Sequence, residues 1–220
     1  MSLVRTEALA GGYRNGTDAI HGVTFAAEPG DVLAILGPNG GGKSTLFRAL
    51  LGELPHRRGA VELAGRPAYV PQTERARLDF PVSALDVALM GAYARTPFYR
   101  RVTRADRDAA RAALARVGLE AQTGARFGEL SGVDAPSAAR IEALFGELRG
   151  EGRALLVATH DVRQARAWQR VLCLHGRQIA FGDPDAVLTP EVLQATYGGE
   201  LVVLADGSTA VSVEHHGHEH

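Results

Sequence analysis

At 220 residues, 45% hydrophobic and 22% charged, the chain has the make-up of a soluble globular protein with a core of ordinary size, and its formal net charge of −1 supplies no field to draw nucleic acid. The single cysteine, Cys173, excludes an internal disulfide and fits a reducing compartment. No apolar run approaches the roughly 18 residues of a membrane span and the start, Met1-Ser2-Leu3-Val4-Arg5, has no signal-peptide core, so the expected place is the cytoplasm, with membrane contact made only through a partner.

Residues 1–36 read as short strands and turns. Asn15-Gly16 is a hairpin signal, Val23-Thr24-Phe25 a strand, and Glu28-Pro29-Gly30-Asp31 a turn. Tyr13, just before the first turn, reads locally as an ordinary strand aromatic. The turn leads into the apolar strand Val32-Leu33-Ala34-Ile35-Leu36, followed by Gly37-Pro38-Asn39-Gly40-Gly41-Gly42-Lys43-Ser44-Thr45. This fits G-x-x-x-x-G-K-[ST], a phosphate-binding loop. Leu46, Phe47, Leu50 and Leu51 then recur at helical spacing, which completes the strand–loop–helix setting the motif needs. Glycines let the backbone turn its N–H groups inward, and those donors with the positive helix start suit a polyphosphate. Lys43 is positioned for the β/γ-phosphates and the Ser44 hydroxyl for Mg²⁺. Lys43 is also the only lysine in the chain; a compact ammonium fits among backbone N–H groups where a planar guanidinium would not.

The loop helix is expected to end near Leu51-Gly52, with Arg57-Arg58-Gly59 as a turn and Val61-Glu62-Leu63 and Ala68-Tyr69-Val70 as strands before Pro71-Gln72. Residues 78–130 read as mostly helical. Val82 to Tyr93 carries Leu85, Leu89 and Met90 on one face, and Thr103 with Asp106 caps a helix from Arg104 to Val117 that stops at Gly118. Asp134-Ala135-Pro136 starts another helix, with Ile141, Leu144, Phe145 and Leu148 at i, i+3, i+4 and i+7. Ala154 to Ala158 is a continuous apolar strand, the kind buried on both faces of a parallel sheet. It ends in Thr159-His160-Asp161, where ligands bind in open α/β sheets. Strands at Val171 to Leu174, Gln178 to Phe181, Leu201 to Leu204 and Thr209 to Val213, with a short helix at Glu191 to Thr196, complete the chain. The tail at 214–220 is low-complexity, four of its seven residues being His215, His216, His218 and His220.

These landmarks, in this order, resemble the ATP-binding subunit of an ABC transporter over most of the chain. The resemblance implies an α/β P-loop fold of the ABC ATPase type, with an N-terminal antiparallel β part and a helical subdomain at 78–130, all one nucleotide-binding domain spanning 1–220. It implies ATP and Mg²⁺ as cofactors, a transmembrane permease as partner, a homodimer of nucleotide-binding subunits, and a peripheral position on the inner face of the plasma membrane. By resemblance Tyr13 stacks the adenine and Gln72 touches Mg²⁺ and the membrane partner. Leu130-Ser131-Gly132 begins the signature motif, so that Ser131, Gly132 and the D-loop acid Asp134 face the nucleotide of the opposite subunit, while His160 is the switch that senses the γ-phosphate. Asp79-Phe80-Pro81-Val82 with Asp86 to Gly91, and the His-rich tail, look like the branch importing zinc or manganese. The tail histidines could hold a transition ion, as a sensor or buffer rather than a transport site.

The family pattern breaks after Gly132. A full signature would continue through a helix and a strand ending in Asp-Glu, whose aspartate supports Mg²⁺ and whose glutamate activates water. Here Val133-Asp134 follows at once, roughly thirty residues are missing, about a helix, a strand and their turns, and no Asp-Glu pair occurs anywhere. Leu201 to Asp206 does not replace it, because Gly207 and a second strand make it a hairpin. One core strand is therefore expected to be absent, leaving buried edges unpaired unless the Tyr69 strand shifts across. Three functions stay open: a hydrolysing transport subunit, a nucleotide-binding module that does not hydrolyse, and a metal-binding accessory protein acting through the tail.

Overall fold

The computed structural model describes residues 1–14, 16–70, 82–93, 101–126, 138–198, 201–203 and 209–211. The chain divides into two compact units, one of Met1–Ala68 with Leu148–His220 and one of Tyr69–Glu147.

The first unit begins with β1 (Val4–Gly12) and β2 (Ile20–Ala27), an antiparallel pair whose connection is closed by the Arg14–Thr17 bridge. β3 (Val32–Leu36) leads into α1 (Lys43–Leu51), and β4 (His56–Leu63) returns beside β1. The order β2-β1-β4 is the antiparallel part expected at the N-terminus. β4 corrects one reading: Arg57-Arg58-Gly59 is not a turn but lies inside the strand. Its register against β1 slips between Glu7 and Ala10, and Gly59 sits in that irregularity at φ +84°, where a Cβ would come within 2.5 Å of the Ala8 carbonyl oxygen. Glycine there serves a bulge rather than a loop.

A second sheet runs β5-β3-β6-β7, with β5 (Leu155–Thr159), β6 (Arg170–Leu174) and β7 (Gln178–Gly182). β3 is parallel to β5 and β6, and β7 closes the edge antiparallel. Every residue of β3 is buried, which is why it reads as an unbroken apolar run. Leu33, Ile35, Leu172 and Leu174 from this sheet, Leu9, Ile20, Val23 and Phe25 from the antiparallel one, and Leu46, Ala49 and Leu50 from α1 form one core. Full burial of each large side chain there contributes about 1.5–3 kcal/mol. Two short helices that periodicity did not reveal, α5 (Val162–Arg166) and α6 (Pro184–Val187), precede the expected α7 (Pro190–Tyr197). A small hairpin of β8 (Leu201–Val203) and β9 (Thr209–Val211) follows.

β5 departs from expectation. It is a parallel strand, but all five residues are half-buried rather than buried, and among the described residues it pairs with β3 alone. Nor does the Tyr69 strand move across. Residues 66–70 are irregular and Val70 is 90% exposed, because an apolar triplet without a ladder partner has no reason to stay extended.

The second unit holds α2 (Ala84–Tyr93) and α3 (Arg104–Arg116), which pack together, and most of α4 (Ala138–Gly150). Thr103 and Asp106 form the expected capping box. Leu89 is buried but Met90, expected on the same face, is 50% exposed; adjacent helix positions point about 100° apart. The apolar stripe of α4 is only partly covered, with Leu144, Phe145 and Leu148 half-buried and Ile141 38% exposed. The expected helix start at Asp134-Ala135-Pro136 lies outside the described residues.

Candidate nucleotide site

The carboxyl end of β3 opens into the loop of Gly37 to Gly42, and α1 begins at Lys43. Gly42 caps this helix in a left-handed conformation at φ +97° and makes no side-chain cap bond; no acid stands in the first turn. A Cβ there would lie 2.5 Å from Ile20 Cγ2, so glycine is required twice over. The outcome is a nine-residue helix whose positive end has no side-chain acceptor at its cap, the arrangement that receives phosphate.

The Lys43 ammonium donates to the carbonyl oxygens of Gly37 at 2.6 Å and Pro38 at 2.9 Å. It is folded into the loop rather than extended to solvent, and is half-buried. The loop is braced from within and from outside. The Gly37 N–H donates to the Tyr197 hydroxyl at 3.1 Å, Gly41 N–H to the Pro38 carbonyl at 3.0 Å, and Gly176 N–H to the Gly41 carbonyl at 2.9 Å. Ser44 is exposed in the first turn of α1, where its hydroxyl would be open to a phosphate-bound cation; a hydroxyl oxygen is suitable for Mg²⁺.

Tyr13 lies 47% exposed and is tied to the same helix. Thr45 donates from Oγ1 to its hydroxyl at 3.3 Å, and the Arg48 guanidinium stands 5.5 Å from its ring centroid. On the neighbouring strand, register pairs Leu36 with Thr159, which sets exposed His160 beside the start of the loop. The turn carrying it is fixed by Asp161, whose N–H donates to Thr159 Oγ1 at 3.1 Å and whose carboxylate accepts from Arg163 N–H at 2.8 Å.

Gly37 to Thr45, Tyr13 and His160 are thus gathered at one end of the parallel sheet. Gln72, Ser131, Gly132, Asp134, His215, His216, His218 and His220 lie outside the described residues. Two neighbours escaped the sequence reading. Arg48 had a signal, since it stands three residues after Thr45 and so shares its helix face. Tyr197 had none, being 160 residues from Gly37. Cys173 is buried, and burial pushes its thiol up to about 11, against a lowering hydrogen bond with Thr196. It is a neutral, inert side chain beneath the site.

A family model described as ABC transporter matches residues 20–137. The chain belongs to that family. Manganese transport system ATP-binding protein MntB of Bacillus subtilis is 36% identical, covering 84% of this chain and 88% of its own length. Zinc transport system ATP-binding protein TroB of Treponema pallidum is 36% identical over 78% of each. The first of these matches runs for 220 aligned positions yet takes in 84% of a 220-residue chain, so about one aligned position in six has no counterpart here. Among solved structures, a metal-chelate type ABC transporter in an inward-facing conformation superposes with a TM-score of 0.77 over 96% of each chain at 22% identity. An ATP-binding cassette in its ADP conformation gives 0.68 over 90% of this chain and 99% of its own. The fold is therefore that of the ABC ATPases, as the resemblance of the ordered landmarks implied, and membership of the family carries nucleotide binding with it. Among the described residues no helix is long and apolar enough to cross a membrane.

Proposed function

We propose that this chain is the nucleotide-binding subunit of a divalent-metal ABC importer, and that it grips Mg-ATP without turning it over at a useful rate. The observation that carries the binding half is the α1 N-terminus: no side-chain cap, no acid in the first turn, and the chain's one lysine folded into the loop above it. The loop's backbone N–H groups other than those of Gly37 and Gly41, which are engaged within the protein, hold the phosphates with the Lys43 ammonium, Tyr13 stacks the base, and His160 meets the terminal phosphate. Mg²⁺ screens charge on the phosphates when bound; Ser44 and Gln72 are the oxygen donors that would hold it. Residues 1–220 act as one domain with a helical subdomain at 78–130. Two copies form a homodimer in which Ser131, Gly132 and Asp134 reach the partner's nucleotide. The dimer docks on a permease at the cytoplasmic face. The manganese and zinc named for the relatives support metal as the cargo.

Three observations support the loss of turnover. No Asp-Glu pair exists to support the metal and activate water. About one aligned position in six is missing against MntB. β5 is left half-exposed beyond β3, on the side of the sheet where the family strand carrying that pair belongs. Losing even one electrostatic contact of this kind costs on the order of 10²–10³ in rate.

Calorimetry with Mg-ATP and a phosphate-release assay test both halves on the full chain. Saturable binding, with release indistinguishable from the blank, is expected. Mg-dependent release that Lys43→Ala abolishes would show the chain to be a working ATPase. No binding at millimolar ATP would reduce the loop to a remnant.

A further inference from the structure

The family motifs do not assign Arg48, and the geometry gives it a task. It is exposed on α1 and its guanidinium forms no ion pair among the described residues, yet it stands 5.5 Å from the Tyr13 ring centroid, inside the range of a cation–π contact. Thr45, one helical turn earlier, holds the other end of the same side chain through the phenol oxygen at 3.3 Å. Tyr13 itself stands at the mouth of the β1–β2 hairpin, just outside the end of β1. A ring on such a turn has rotamer freedom to lose when a ligand arrives. One anchor at the hydroxyl fixes the ring's distance from α1 but lets it pivot. A second at the face removes the pivot.

We infer that Arg48 is a positioning residue for the nucleotide base: with Thr45 it clamps Tyr13 in one orientation, leaving the ring's uncovered face as the stacking platform. The inference rests on the reading of Tyr13 as the base-stacking residue. Tyr13 stays 47% exposed with the guanidinium already against its ring, which leaves room for a flat ligand. Because Thr45 and Arg48 belong to the helix that begins at Lys43, the helix that receives the phosphates also sets the base platform. The two ends of the ligand are thereby held in a fixed relation before it binds, and the ordering cost falls on folding rather than on binding. The class of ligand this suits is a nucleoside triphosphate; stacking alone discriminates little between bases.

Because the task concerns the base and not the phosphates, two probes separate it from a general effect of charge: Mg-ATP and Mg-tripolyphosphate, titrated calorimetrically into the full chain. Arg48→Met should weaken ATP about threefold and leave tripolyphosphate unchanged, which also reports an intact fold. Tyr13→Ala should weaken ATP about tenfold, again sparing tripolyphosphate, and the double variant should bind ATP no worse than Tyr13→Ala alone. Arg48→Lys should recover part of the loss. Equal weakening of both probes, no weakening of ATP, or full additivity in the double variant would each overturn the role of Arg48 while leaving Tyr13 in place. If Tyr13→Ala spares ATP, the stacking reading itself falls, and the clamp with it.

Discussion

β3 and β5 lie side by side in one parallel sheet, in register from Val32 against Leu155 to Leu36 against Thr159, and each hands over to a helix at its carboxyl end. There the likeness stops. β3 has a strand on both sides and is wholly buried; β5 pairs with β3 alone among the described residues and is half-buried throughout. The helices differ in the opposite sense. α1 begins on a glycine with no side-chain cap, whereas α5 begins on Asp161, whose carboxylate accepts from the N–H groups of Arg163 and Gln164. The well-packed strand thus supports an open helix end and the poorly packed strand a closed one. A site that must receive an anion leaves its donors unsatisfied by the protein, which requires rigid backing to keep them in place. A turn that only carries one side chain past the sheet satisfies itself. The contrast bears directly on the proposed function: the strand behind the open helix end is covered on both sides, and the strand behind the closed one pairs with β3 alone among the described residues.

The largest expected effect is on the strands themselves. Leu33 and Leu156 are register partners, so Leu33→Ala and Leu156→Ala delete the same atoms at one level of the sheet, from adjacent strands. Urea denaturation should show Leu33→Ala losing about 2–5 kcal/mol and Leu156→Ala about 1–2 kcal/mol. Equal losses would mean that β5 is as well covered in solution as β3, and the comparison would fail at its root.

Next comes the open helix end. Lys43→Ala removes the ammonium from the Gly37 and Pro38 carbonyls and from any bound phosphate. A charge-assisted contact of this kind is worth about 1.5–3 kcal/mol, so Mg-ATP should bind about 10–100-fold more weakly by calorimetry. His160→Ala, on the β5 side, should cost much less in binding, since a residue that answers to the terminal phosphate matters chiefly when turnover follows. Comparable losses from the two variants would show that both strands contribute to grip.

How much of this the sequence reveals depends on how local the cause is. The phosphate loop was legible because glycine, lysine, preceding strand and following helix lie within about twenty residues, and each constrains the next. The Thr103–Asp106 cap was legible for the same reason. Arg57-Arg58-Gly59 misled because its glycine serves a bulge against Ala8, a partner fifty residues earlier, and a bulge glycine looks locally like a turn glycine. Ala68-Tyr69-Val70 misled because a strand needs a ladder as well as apolar residues. Val157 and its neighbours read as a strand buried on both faces, yet they are only half-buried, and β5 pairs with β3 alone among the described residues. Tyr197 behind Gly37 could not be read at all; nothing in a helix near the C-terminus says that its phenol oxygen will accept from the first glycine of the loop.

A smaller effect distinguishes the closed helix end. Asp161→Ala should cost about 0.5–2 kcal/mol, the ordinary worth of an N-cap, measurable as a shift in the urea midpoint without change in slope. It should leave Mg-ATP binding intact, because the cap serves the His160 turn and not the loop. If ATP affinity falls along with stability, the two helix ends are coupled and the division drawn between them is too sharp.

The smallest effect is also the one whose sign is least obvious. Ser44→Asp places a carboxylate in the first turn of α1, where no acid now stands. In the free protein it should stabilise the helix by about 0.3–1 kcal/mol, through the positive end that is otherwise left open. With Mg-ATP the same carboxylate competes with the phosphates for those N–H groups and takes the place of the hydroxyl proposed for Mg²⁺, so affinity should fall. Adding salt should shrink the gain in stability, as expected for an exposed charge. The two signs must be opposed. A variant more stable and equally good at binding would mean that α1 does not use its N-terminus to hold the ligand, and a variant less stable in the free state would mean that its donors are already engaged. Only an end kept vacant at a cost in stability gives the split, and that cost is the physical signature of a site whose anion comes from outside the chain.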